Sequence, residues 1–600
     1  MIFAMASCRK AATNQEGRTS MRAIAGRFGI AEWRERFHRL TLSHTRALLA
    51  LAIVSFCLFL PGQMALQPMD RDEPRFAQAS KQMLETGDFV DIRFQEEARH
   101  KKPVGIYWLQ SASIAIGEAL GVADARRQIW LYRIPSLLGA VSMVLLTYWA
   151  GLAFLSRQGA MIAALMMAAS VLLGVEARLA KTDAVLGALS VAAMGFLARA
   201  YLAARAPGIA PGLAQRQIML FWIAIGAAVL IKGPITPLVC ALALGALAIR
   251  DRGAGWLKGL RPGVGLVIVA AIVLPWLVMI LMKSGGSFLE DSLGRDMLAK
   301  VGSAQEKHGA PPGTYLGVFW ATFWPAAPLV LLALAFAWRE RRDDGVAFLL
   351  AWIIPFWLIL EAVPTKLPHY VLPVYPAIAI LAMLAVERSG LVLHRGLRWL
   401  AAFLMLLVPL VFLVGAPGLF VLMEEGLPIL RLPFMALPFL VLAFLLGAAG
   451  AYTLVQRRPV RALLLGVLAS ASLVVAAYPL GMPMLKAINL SPRLAEAARA
   501  TGCTDPAFAT VGYREPSLVF LTRTDILLAE PAEAAEFLER TGSGCRIAFV
   551  ERRFEEAFRA GLKGQSAPAL VTRVRGVNLN AAFDKQRRLR VLDIAVYVRR

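Results

Sequence analysis

Apolar runs long enough to cross a ~30 Å hydrocarbon core recur along most of the chain, separated by short polar stretches. They fall at roughly 46–66, 130–154, 159–176, 184–204, 216–231, 234–249, 262–282, 315–338, 346–362, 368–386, 397–415, 433–455 and 461–481. The pattern predicts an all-α polytopic membrane protein with about thirteen transmembrane helices. Residues 1–45 form a basic tail without a signal-peptide core. Within it, the segment 22–40 is amphipathic and suits the inner membrane surface.

An odd number of spans puts the two ends of this sequence on opposite sides. Arg199, Arg205 and Arg216 cluster in one inter-span loop, and Arg250, Arg252, Lys258 and Arg261 in another. Arg339, Arg341 and Arg342, then Arg388, Arg395 and Arg398, then Arg457, Arg458 and Arg461, continue the series. These loops alternate with the others and share a side with the basic N-terminus, which is the cytoplasm by the positive-inside rule. The opposite side carries the long loop 67–129, the loop 283–314, the short connections near 177–183, 232 and 361–367, and the tail 487–600.

Composition agrees with this pattern. Hydrophobic residues make up 58% of the chain and charged residues 17%, more apolar than soluble domains allow. The net charge of +24 needs no nucleic acid, because the cytoplasmic loops account for it. Five cysteines are too few for a disulfide scaffold, and none forms a zinc pattern. Only Cys503 and Cys545 share a polar region, where pairing and free thiols are both open.

The outer side carries the candidate chemistry. Asp70-Arg71-Asp72 has the spacing of a metal-chelating D-x-D for nucleotide sugars, but those donors are cytoplasmic, which argues against it. Asp70 or Asp72 is also a suitable cap for a helix with Pro74 in its first turn, ending at Gly87. Lys101 and Lys102 precede Pro103 and the aromatic pair Tyr107 and Trp108, either as interfacial lysines or as cations fixed against a phosphate. Lys181 and Asp183 fall at a helix lip, Lys232 beside a Gly-Pro break, and Lys366 and His369 between prolines. Ionisable groups at membrane depth usually face a cavity or a partner. Several on one side, beside broken helices, point to a cation-rich pocket.

The segments DEPRFAQ, HKKPVGIYW, KTDAVL, IKGP and KLPHYVLPVYPA, in that order over about 45–490, resemble the polytopic lipid-linked-sugar glycosyltransferases. These include the bacterial lipid A aminoarabinose (ArnT-like) transferases and the protein O-mannosyltransferases. The resemblance implies the GT-C fold over 46–486, with a structured first outer loop at 67–129. It also implies a bacterial inner-membrane enzyme with a cytoplasmic N-terminus and a periplasmic active site and C-terminus. Its activity would be transfer of a sugar from a polyprenyl (undecaprenyl) phosphate to lipid A, a glycan or a protein, with inversion. Asp72 matches the catalytic acid residue. Arg75, Lys102 and Lys366 would hold the donor phosphate, while Glu73, Lys101, Asp183, Lys232 and His369 would line the cavity. The family often has Tyr where this chain has Phe76. No cofactor is required, and a divalent metal is left open. Membrane lipids are the surrounding partner and nucleic acid is not one. A lipid-linked-sugar flippase and a non-catalytic sensor are the rival classes.

Residues 487–600 alternate short apolar runs (PAFATVG, RIAFV, LDIAVYV) with helical stretches and read as a small α/β domain. VGYREPSLVF in this region has no evident chemical role; a structural or acceptor-positioning one is expected.

Overall fold

The computed structural model describes residues 39–69, 72–205, 214–292, 309–423, 434–540, 544–564, 567–578 and 590–600. Asp70, Arg71 and nearly all of the interfacial segment 22–40 lie outside them, as does much of the loop 283–314.

The chain opens with α1 (His44–Phe59), then α2 (Asp72–Thr86), a two-stranded hairpin of β1 (Arg93–Phe94) and β2 (Glu97–Ala98), and α3 (Gly105–Ala119). The membrane body continues through α4 (Ile129–Gly151), α5 (Arg157–Ala169), α6 (Val171–Glu176), α7 (Asp183–Ala203), α8 (Gln215–Lys232) and α9 (Ile235–Asp251). It is completed by α10 (Pro262–Ser284), α11 (Thr314–Thr322), α12 (Ala327–Arg339), α13 (Asp344–Ala362) and α14 (Tyr375–Glu387), then α15 (Arg395–Met423), α16 (Leu437–Val455) and α17 (Pro459–Val475).

Each expected span overlaps helix. Nine helices among the described residues are long and apolar enough to cross a membrane by themselves. The other four expected spans are shorter or broken. α1 has 16 residues and α9 has 17. The run 159–176 divides at Ser170 into α5 and α6, and the run 315–338 divides around Pro325 into α11 and α12. Hydropathy cannot register such breaks, because one serine or proline scarcely changes an average taken over a span-length window.

Burial sorts the spans. α7 is 72% buried within the protein, whereas α10 is 17% buried and presents Leu266, Val267 and Met282 outward. An apolar surface of that extent requires lipid. This is a multi-pass membrane protein.

The first outer loop is folded, as its length suggests. α2 carries Asp72 and Glu73 in its first turn, where the helix dipole favours negative charge, and ends at Gly87 with φ +72°. Asp72 lies within the helix rather than capping it, and Asp70, the other cap the sequence offered, is outside the described residues. α3 lies against α2 through a buried Ser80–Gln110 hydrogen bond of 2.6 Å.

The C-terminal part contains α18 (Leu490–Arg499), β3 (Ala507–Val511), α19 (Pro516–Leu521), β4 (Leu527–Leu528) and α20 (Pro531–Glu539). β5 (Arg546–Glu551), α21 (Glu555–Ala560), β6 (Ala569–Val577) and β7 (Val591–Arg599) complete it. The sheet order is β4-β3-β5-β7-β6, with β3 parallel to both β4 and β5, and β7 antiparallel to β5 and β6. Alternate strand residues serve two cores: Phe508, Ile547 and Val596 on one face, Ala509, Ala548 and Tyr597 on the other. Cys503 and Cys545 form a disulfide with Cα atoms 5.9 Å apart, resolving the alternative left open by the sequence.

This unit rests on the first outer loop through α19 and the residues after it. Lys81 Nζ donates to the Phe520 carbonyl at 3.3 Å, and Gln78 Nε2 to Thr524 Oγ1 at 2.8 Å. Gln95 Nε2 reaches the carbonyls of Thr524 and Ile526, and the Phe520 ring meets Tyr132 edge-on at 5.2 Å.

Candidate functional site

Asp72 and Arg75 stand one turn apart on α2, with Nη1 and Oδ1 3.9 Å apart. The Asp72 side chain is partly open to solvent yet set among surrounding elements. Burial pushes its carboxyl up, but Arg99, Lys181 and Arg75 outweigh that and hold it below the ordinary value. Asp72 is therefore a carboxylate at neutral pH. Phe76 lies beneath the Arg99 guanidinium at 5.0 Å. The phenyl ring supports one of the cations that keep Asp72 ionised.

A cavity of about 710 Å³ opens among α7, α8, α10 and α13. Its walls are mainly apolar, including Leu186, Leu230, Trp276 and Phe356, and its polar end carries Lys101, Lys102, Asp183, Lys232, His369 and Tyr370. Lys232 is the last residue of α8, where Gly233 at φ +68° and Pro234 stop the helix. Its Nζ meets Asp183 Oδ1 at 2.5 Å and lies 5.2 Å from the Tyr370 ring. His369 Nε2 is 3.8 Å from Asp183 Oδ2, and Nδ1 is 3.6 Å from Glu176 Oε1. His369 therefore stands between the two carboxylates Asp183 and Glu176 at the polar end of the cavity.

Two sequence-expected residues are elsewhere. Lys366 gives its ammonium to the carbonyls of Leu360, Glu361 and Val363 at 3.1, 2.8 and 2.6 Å. Those are the free carbonyls at the end of α13, so Lys366 caps a helix terminus and is not a donor-phosphate ligand in this arrangement. Glu73 is fully buried, paired at two points with Arg133, and accepts the backbone N–H groups of Met69 and Ala180. It is a clamp inside the protein, not a cavity residue. The sequence could not separate these roles, because the partners are distant carbonyls and an arginine 60 residues away.

Reasoning from the sequence also passed over Arg99, Glu176 and Tyr370. Arg99 was visible only as one cation in a basic run, and Glu176 as a lone acid at a span end.

Glu176, Asp183 and His369 bring ligand atoms within 4.8 Å of one another, a donor set that would suit a divalent cation. Each carboxylate already faces a lysine, Lys181 at 3.5 Å from Glu176 and Lys232 at 2.5 Å from Asp183. A divalent ion there would meet two ammonium groups with no carboxylate left to balance it. The charge set fits internal ion pairs and not the metal left open by the sequence.

Three comparisons bear on this arrangement. The family model for dolichyl-phosphate-mannose-protein mannosyltransferase matches residues 44–285. The chain is 29% identical over 378 residues to an undecaprenyl phosphate-alpha-4-amino-4-deoxy-L-arabinose arabinosyl transferase of Edwardsiella ictaluri, covering 60% of this chain and 65% of that protein. It is 28% identical over 313 residues to the Erwinia tasmaniensis protein of the same name, covering 52% and 54%. The chain thus spans less than two thirds of the length of these curated relatives. Among solved structures, ArnT from Cupriavidus metallidurans bound to undecaprenyl phosphate superposes with a TM-score of 0.69 at 19% identity, covering 91% of this chain and 97% of that one. Its apo state gives the same TM-score. At that identity the likeness concerns the fold, which is the GT-C fold expected from the motifs.

Proposed function

We propose that this chain, an ArnT-like member of the polytopic lipid-linked-sugar glycosyltransferases, is a bacterial inner-membrane glycosyltransferase. It takes a sugar from a polyprenyl phosphate, of the undecaprenyl type, and passes it to a periplasmic acceptor such as lipid A. The same chemistry would serve a glycan or protein hydroxyl. The site and the C-terminal unit would lie on the periplasmic side, with the N-terminus in the cytoplasm. The relatives' names and the loop-charge pattern both favour this reading.

The observation that carries it is an ionised Asp72 beside Arg75, next to a cavity that combines long apolar walls with a cationic end. The apolar walls suit a prenyl chain. Cleavage of the C1–O bond develops negative charge on the departing phosphate. Lys101 and Lys102 at the cavity mouth, with Arg75, would stabilise that charge as fixed cations. Lys232 and Asp183 form an internal pair and serve to orient His369 and the mouth, a role for the pair that replaces direct phosphate binding. Asp72, approaching from the other face of the sugar, gives inversion. With a hydroxyl acceptor it would act as general base. With a lipid phosphate it would stabilise the cationic sugar carbon instead.

The test is Asp72→Asn in purified protein supplied with a labelled polyprenyl-phosphate sugar and lipid A. Transfer should fall by about 10²-fold or more, with the thermal midpoint unchanged. Near-normal turnover would remove Asp72 from the chemistry. A flippase would instead move the intact lipid-linked sugar and release no polyprenyl phosphate.

A further inference from the structure

The carboxyl ends of β3 and β5 form a crevice that the proposed transfer chemistry does not use. β3 continues through α19 to β4 on one side of the sheet order, while β5 continues through α21 to β6 on the other. Where neighbouring parallel strands send their connections in opposite directions, the chain ends diverge and leave an opening. Open α/β sheets characteristically bind ligands there.

In this chain the opening is a cavity of about 200 Å³, on the scale of one pyranose ring. Gly512, Tyr513 and Glu515 enter from the turn after β3, Glu551 from the last position of β5, and Asn578 and Arg590 from the ends flanking β6 and β7. Gly512 has φ +83°, and a Cβ there would come within 2.6 Å of Glu551 Oε2 and 2.7 Å of the Phe554 ring. Only glycine leaves Glu551 room to stand at the floor of the opening.

The polar groups alternate in kind. Glu515, largely buried, accepts from Asn578 Nδ2 at 2.7 Å. Glu551, also buried, is held by Arg553 Nε at 2.8 Å and Arg590 Nη2 at 3.2 Å. Arg514 is engaged outward with Glu530 at 2.6 Å. The lining thus carries two carboxylates and three arginines, but Arg514 is turned to Glu530 and both Arg553 and Arg590 are engaged by Glu551, with Leu592 as an apolar patch. The turn after β3 reads Gly-Tyr-Arg-Glu-Pro-Ser and lacks the glycine-rich phosphate cradle of nucleotide sites. Interleaved acceptors and donors in a ring-sized space instead match adjacent hydroxyls, each of which both donates and accepts.

We propose that this crevice binds one neutral sugar ring, a hexopyranose with vicinal hydroxyls, at a site separate from the membrane cavity. The segment VGYREPSLVF, which had no chemical role in the sequence, would supply both the binding turn and α19. Because α19 rests on α2, the bound ring would sit on the element that supports Asp72. The proposal does not depend on the transfer chemistry.

The test uses the full-length protein in lipid nanodiscs, free of glycoside detergents, with the methyl pyranosides of glucose, mannose and galactose as probes and saturation-transfer NMR as readout. At least one pyranoside should bind saturably. Glu551→Gln should weaken it by about tenfold or more, the loss expected for one charged hydrogen bond, and Asn578→Ala by about threefold to tenfold, that for a neutral one. Asp72→Asn should leave it unchanged, and inorganic phosphate and AMP should not compete. Asn578→Ala keeps the test available should Glu551→Gln fail to fold. The proposal is overturned if no pyranoside binds saturably, if both crevice variants bind as the parent does, or if phosphate displaces the sugar. Because binding is read without donor or acceptor, an inactive transferase would not affect the outcome.

Discussion

Glu73 and Arg133 meet in a two-point ion pair, Oε1 to Nε at 2.7 Å and Oε2 to Nη2 at 2.9 Å, with neither side chain exposed. The remaining guanidinium donors go to the carbonyls of Gln63, Leu66 and Gln67. One arginine on α4 thus fixes the chain leaving α1 and the first turn of α2. Asp72 owes its placement to the residue beside it.

Removing one partner of such a pair leaves a buried charge unmatched. Arg133→Met should cost about 3–5 kcal/mol, measured as a large fall in thermal midpoint and in recovered monodisperse protein. Glu73→Gln should behave similarly though more mildly. A Glu73→Gln protein with unchanged melting but lost turnover would put Glu73 back at the substrate.

Lys366 gives a contrast with the proposed phosphate ligands. Lys366→Met should lower stability by about 1–3 kcal/mol, the cost of leaving part-buried helix-end carbonyls unpaired. Apparent donor KM in the surviving folded protein should stay within error of the parent. Lys102→Ala should show the reverse, normal melting with a raised donor KM. Equal KM changes in the two variants would contradict the helix-cap assignment.

Lys81 gives a pH signature for the contact between α2 and α19. Burial lowers its ammonium from the ordinary 10.5 to about 8, against the opposing pull of Glu85. Between those values the unfolded chain holds the proton more tightly than the folded one. Stability therefore rises as pH increases from about 8 to about 10.5, and the ammonium penalty is fully present below 8. Thermal midpoints measured across that window should climb more steeply for the parent than for Lys81→Met, which should be the more stable at pH 7. Parallel curves would show that Lys81 is not desolvated by the docked C-terminal unit.

The charge balance around Glu176, Asp183 and His369 gives a fourth expectation. With Lys181 and Lys232 already in place, exhaustive chelation should leave transfer unchanged. Removing the competing cation in Lys232→Gln should raise zinc affinity at the triad, read by metal content after dialysis. Loss of parent activity on chelation, restored by one divalent ion, would overturn the ion-pair reading.

Much of the arrangement could be read from one dimension. The helices of the body follow from local hydropathy, and the sidedness expected of the loops follows from their charge, both summed over neighbours in sequence. The motif residues at the lips of α2, α7 and α8 stood out because ionisable groups in apolar surroundings are costly. Asp183, Lys232 and His369 do come together, although the sequence offered no reason to pair Lys232 with Asp183 rather than with a phosphate.

The sequence by itself determined a polytopic helical protein, the α/β character of its polar C-terminal unit, and the few segments worth suspecting of chemistry. Only the tertiary structure decided which charges are available. It assigned Glu73 to Arg133, Lys366 to the end of α13, and the two carboxylates of the would-be metal triad to lysines. It also divided two apolar runs at Ser170 and Pro325. The physical reason is the range of the interactions. Hydropathy and periodicity are additive properties of nearby residues, whereas a buried charge is defined by whichever distant group satisfies it.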